Sequence, residues 1–157
     1  MNQGADMSNE RIPSADRTAV DVALLLVRVI VGVIFAAHGA QKLFGAFGGP
    51  GLAAIVGMMG PIGYVVAIGE FFGGLGLVFG FLTRFSAASL IVIMVGAIAM
   101  VHGKNGLFLD KGGFEYCLAL IGLLLPILIA GPGRFAIGRF LPLPKSARTD
   151  RPIVVLE

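Results

Sequence analysis

Four stretches of this chain are apolar over about the length that a bilayer demands: 21–39, 62–82, 85–101 and 113–130. A helix needs ~20 mostly apolar residues to cross ~30 Å of hydrocarbon, so each stretch is a candidate span. Composition argues against a soluble alternative. Of 157 residues, 57% are hydrophobic and only 13% charged, more apolar surface than a domain of this size can bury. The second and third windows are joined only by Thr83-Arg84, an interfacial turn, and the fourth stops at Gly131-Pro132-Gly133. Within the glycine-rich segment 45–60, the piece 52–59 is too short to span and reads as an interfacial helix or re-entrant turn. The expected fold is therefore an all-α membrane protein, a bundle of four transmembrane helices forming one domain over 21–140. Segments 1–20 and 141–157 are polar or proline-bearing and read as flexible tails, the second of them basic.

The chain also repeats itself. Val31-Gly32-Val33-Ile34-Phe35-Ala36-Ala37-His38-Gly39 aligns with Val95-Gly96-Ala97-Ile98-Ala99-Met100-Val101-His102-Gly103, and Leu43-Phe44 with Leu107-Phe108. Each copy is followed by an apolar segment with one glutamate near its start, Glu70 or Glu115, closing on Arg-Phe at 84–85 or 134–135. The bundle thus reads as a duplicated helical hairpin, each half bringing one His and one Glu toward the same side.

Basic residues set the expected orientation. Arg11, Arg17, Arg84, Arg134, Arg139, Lys145, Arg148 and Arg151 fall on one side, against Lys42, Lys104 and Lys111 on the other. The richer side is cytoplasmic by the positive-inside rule, which puts both termini there. The net charge of +3 is explained by this bias, and no contiguous basic face suggests nucleic acid. The single Cys117 rules out an internal disulfide and reads as a small core residue.

Polar residues within the spans carry whatever chemistry the chain has, since a charge at mid-bilayer costs ~2.5–3.5 kcal/mol and normally faces protein or water. Arg28 and Glu70 are expected to form a structural ion pair. His38, Gln41 and Lys42 lie within one helical turn of each other, with His38 and Lys42 at i and i+4. Together with Glu70, His102 and Glu115 they define a candidate polar pocket in the outer half of the bundle. Three readings stand side by side. The polar groups can be packing devices between helices. They can form a pocket in which a His with a carboxylate relays a proton or hydrogen-bonds a quinone carbonyl. They can hold a metal, although the Glu-x-x-His spacing of carboxylate-bridged bundle centres is missing, and no metal ligand is assigned. Glycines at 69/73 and 76/80 form small-xxx-small faces for close helix approach.

The stretch Leu26-Val27-Arg28-Val29-Ile30-Val31-Gly32-Val33-Ile34-Phe35, running into His38-Gly39-Ala40-Gln41-Lys42-Leu43-Phe44-Gly45, resembles the opening motif of the DoxX family. Glu70-Phe71-Phe72-Gly73-Gly74-Leu75-Gly76-Leu77, closing on Leu82-Thr83-Arg84, resembles its second motif, and the span beginning near Glu115 fits as well. The resemblance implies a small four-helix protein of a bacterial or archaeal inner membrane. It also implies a redox theme, since relatives are linked to thiosulfate:quinone oxidoreduction and quinol-oxidase complexes. Two functions are then expected: an accessory or scaffold subunit of a quinone-linked membrane redox complex, or a quinone-binding oxidoreductase subunit built around the His/Glu pocket. Quinone is the cofactor so implied; lipid and redox partner proteins are the implied partners. With no haem signature, no CxxC and no nucleotide fingerprint, electrons would come from a partner.

Overall fold

A computed structural model describes residues 14–139, so most of both expected tails lies outside the described residues. The described residues form α1 (Ser14–Phe44), α2 (Gly51–Met59), α3 (Ile62–Phe79), α4 (Thr83–Ala97) and α5 (Glu115–Ala130). Beyond Ala97 the fourth helix continues as a π-turn, Ile98–His102, and a 3₁₀ turn, Gly103–Asn105. Among the described residues three helices are long and apolar enough to cross a membrane: Asp16–Phe44, Ile62–Phe79 and Thr83–Asn105. The 16-residue α5 is apolar but shorter. α1 begins at Ser14, inside the segment read as a tail, and α2 occupies the place of the expected short helix.

α1 packs on α3, α3 on α4, and α4 on α5, while α5 also meets α1. Val31, Phe35, Leu77, Leu90, Leu124 and Ile127 fill the centre and are almost fully buried. The outward faces remain apolar, with Ile129 74%, Phe85 70% and Val92 70% exposed. A surface this greasy is stable only against lipid.

Two glycine seams fix the register. Between α1 and α3, Gly32 meets Val78, Gly74 meets Ala36 and Gly39 meets Phe71, so that facing residue numbers sum to 110. A Cβ on Gly32 would lie 2.7 Å from the Gly74 carbonyl oxygen, so a larger residue there would force the helices apart. Between α3 and α4, Gly69, Gly73 and Gly76 abut Ile93, Leu90 and Ser86. Gly80 departs from the expected packing face. It ends α3 in the left-handed conformation at φ 71°, which a residue with a Cβ adopts only at a cost.

That register overturns the expected Arg28–Glu70 pair. Arg28 faces the turn at Leu82, whereas Glu70 faces Ala40, and twelve residues of helix, ~18 Å, separate the two levels. No guanidinium spans that gap. Instead Arg28, 1% exposed, donates from its two terminal nitrogens to the carbonyls of Pro132 and Phe135, both at 2.7 Å. Those acceptors belong to the chain just after α5, where helix-terminal carbonyls lack partners and the helix dipole is negative. A buried cation is stabilised there without a carboxylate. Around it Asp21 accepts the Arg134 backbone N–H at 3.0 Å, Arg84 donates to the Ile129 carbonyl at 3.1 Å, and Gly138 N–H reaches the Gly80 carbonyl. The segment after α5 is thereby clasped onto the Arg84 end of the molecule.

Candidate functional site

At the opposite end, Glu70 is the ninth residue of α3 and 4% exposed, so its charge needs a partner. Lys42 supplies one from α1, two residues beyond the position that faces Glu70, with Nζ 2.5 Å from Oε2. The lysine side chain is 22% exposed against 5% for the glutamate. Its stem lies along the helix and its head reaches inward from the rim.

The pair lines a cavity of about 460 Å³ between the upper parts of α1, α3, α4 and α5. The cavity follows from the second glycine seam running out. Up to Gly69 the α3–α4 contact is close, but a Cβ on Gly96, one turn beyond Ile93, would meet nothing within 4 Å. The helices have parted, and the space between them is walled by Val65, Val66, Met94 and Ala97, with the exposed Ile62 and Val92 at its edge.

Of the six residues expected to share a pocket, His38, Lys42, Glu70 and His102 line this cavity. Gln41 and Glu115 do not. Gln41 lies beneath the loop that follows α1, where a Cβ on Gly49 would be 2.6 Å from its own Cβ. Glu115 is the first residue of α5 and only half-buried, favoured there by the helix N-terminus rather than drawn inward. The two glutamates are therefore not equivalent in depth, although the alignment of the halves matches them. Among the described residues no three His, Cys, Asp or Glu side chains converge as a metal set would require.

His102 is aimed by the π-turn that ends the fourth helix, a feature common at functional sites. Its Nδ1 is 2.8 Å from the Gly112 carbonyl oxygen. A carbonyl only accepts, so Nδ1 carries a proton, and in the neutral ring Nε2 is then an acceptor. His38, on an exposed position of α1, stands 6.3 Å from the Tyr116 ring, centroid to centroid. Tyr116 and Cys117 from α5 also line the cavity and were not expected from the sequence. No pattern in the sequence marks either of them as lining a site. The result is an apolar chamber with a cationic donor, a carboxylate and an imidazole acceptor at one end. It suits a flat apolar ring bearing oxygens.

The comparisons with known proteins agree on the family. The DoxX model matches residues 23–103. The chain is 33% identical over 107 residues to "Putative oxidoreductase CatD" of Bacillus subtilis, covering 68% of this chain and 79% of that protein. It is 31% identical over 126 residues to the inner membrane protein YqjF of Escherichia coli, covering 77% and 93%. An uncharacterized membrane protein of Mycobacterium tuberculosis is 30% identical over 132 residues, covering 76% and 81%. No solved structure matches. The matched segment holds Arg28, the Lys42–Glu70 pair and both glycine seams, and on this evidence the chain is a membrane protein that belongs to the DoxX family.

Proposed function

We propose that the protein is an inner-membrane subunit that binds a quinone or quinol in the cavity and serves a membrane redox complex whose other members supply electrons. The convergence of Lys42, Glu70 and His102 on one apolar chamber carries this reading. Lys42 is a donor suited to a quinone oxygen, and Nε2 of His102 is an acceptor suited to a quinol hydroxyl. The oxidoreductase name of CatD fits the same theme. A pure scaffold role explains the glycine seams but not a carboxylate set two turns inside a helix beside an open chamber. The test is retention. After purification and repeated exchange into synthetic lipid, the protein should keep quinone extractable with organic solvent. Quinone that leaves with the bulk lipid would refute the reading.

The same proposal takes α5 as a fourth crossing, with the cavity in the outer half and both termini cytoplasmic. α5 runs from the level of His102, which meets Gly112, to the level of Arg84, which meets Ile129, and so parallels the whole fourth helix. Its ~24 Å fall short of ~30 Å of hydrocarbon by an amount that local thinning absorbs. Hairpins α1–α3 and α4–α5 then stand as two parallel repeats. A reporter fused after Glu157 should be active only in its cytoplasmic form; a periplasmic signal would contradict this topology.

A further inference from the structure

We infer that the cavity's ligand carries a long apolar tail, and that this tail lies in a groove running down the lipid-facing side of the α3–α4 seam. The inference rests on the cavity reading above and specifies which ligands can fill the site. The groove holds about 910 Å³ and extends from Tyr64 to the turn at Leu82 and Phe85. Measured along α3 from Tyr64 to Phe79, that is ~22 Å, most of a bilayer's hydrocarbon depth.

Three observations point to a tail. The groove adjoins the cavity, because Val65, Val92 and Ile93 line both. Gly69, Gly73 and Gly76 line the groove, so that α3 contributes no side chain at those three positions. Its polar groups are few, and a tail of saturated or isoprenoid carbon needs none. A helix from a second copy laid along the groove would cover Val65 and Val92 and so shut the cavity's mouth. A tail joined to the ring keeps the mouth occupied by the ligand itself. The gain from seating it is packing and orientation, since lipid chains are as apolar as the groove. Ring-only molecules would enter the same chamber but leave more readily.

The experiment uses full-length protein in nanodiscs of synthetic phosphatidylcholine, with empty discs as the blank. One probe is a dimethoxy-methyl-benzoquinone ring without a tail. The other is the same ring on a long alkyl chain tipped with a diazirine. Illumination of the wild type should place the label on residues of the groove, at Phe79 or Phe85 and their neighbours. Label spread evenly over all lipid-facing helices, or confined to another face, would overturn the inference. The variant Ser89→Phe, which sets a ring into the groove, should weaken the tailed probe about tenfold relative to the tail-less one, a loss of ~1.4 kcal/mol in seating the tail. Equal loss of both probes, or no loss of either, would also count against the groove. If neither probe binds the wild type above empty discs, it is the cavity reading that fails, an outcome distinct from tail-less binding without tail placement.

Discussion

Replacing Lys42 by Met should destabilise the protein in detergent far more than replacing Glu70 by Gln. The two side chains form one ion pair, but they are not equally placed, at 22% and 5% exposure. Without the lysine, a carboxylate remains in the apolar chamber with no counter-charge, a loss on the order of 3–5 kcal/mol. Without the glutamate, the ammonium on its flexible stem can swing toward the rim and water, which limits the cost to roughly 1 kcal/mol. Replacing both by Met should recover most of the single-lysine loss, because an apolar pair of similar volume in place of a buried ion pair is often neutral. Thermal unfolding of the three variants measures this directly. Equal losses for the two single changes would mean that the lysine is as firmly held as the glutamate. A double variant as weak as Lys42→Met would mean that the pair does not act as a unit.

Arg28→Met should be the other severe change. The guanidinium makes two hydrogen bonds of 2.7 Å to carbonyls that have no helical successor to satisfy them. Each such charge-assisted bond contributes about 1.5–3 kcal/mol, and the change also leaves two part-buried carbonyls without their donor. Arg28→Lys should restore little, since a single ammonium cannot reproduce a fork directed at two oxygens. The first consequence expected is release of the segment after α5, seen as protease cleavage near Arg134 before global unfolding. Because Arg28 and Glu70 lie at levels ~18 Å apart, their losses should add within a few tenths of a kcal/mol. Strong coupling between them would contradict the register described above.

The helices were legible in the sequence because hydropathy over ~20 residues is a strong signal and the breaks at Thr83-Arg84 and Gly131-Pro132-Gly133 are explicit. The pairing of charges was not. Counting residues gives the depth of Arg28 and of Glu70 along their own helices, but not which residue of the neighbour each one faces. That offset is set by Gly32, Gly39 and Gly74, and nothing in a one-dimensional pattern says which glycine meets which backbone. A signal for the true Arg28 partners existed: a glycine–proline–glycine stop leaves carbonyls without donors, and a buried arginine is the donor such an end requires. The four expected residues that line the chamber stood out in the sequence because polar side chains inside an apolar span have few reasons to be there. Glu115 was included through its likeness to Glu70, which holds in alignment but not in depth, since one opens its helix and the other lies two turns in. His102 reaches its place through a π-turn, a local irregularity with no sequence mark.

The claim that the chamber between the parted ends of α3 and α4 is a quinone site is tested most directly by filling it. Gly96 offers the means: a Cβ there meets nothing within 4 Å, and its helical backbone accepts any residue. Gly96→Leu should therefore leave the fold intact, or strengthen it by about 0.5–1 kcal/mol through helix propensity, while its side chain occupies the space meant for the ring. Quinone retained per protein after lipid exchange is the quantity to compare. The wild type should keep its quinone, and Gly96→Leu, equally stable on heating, should keep none above the lipid blank. Equal retention by a stably folded Gly96→Leu would contradict a quinone site there.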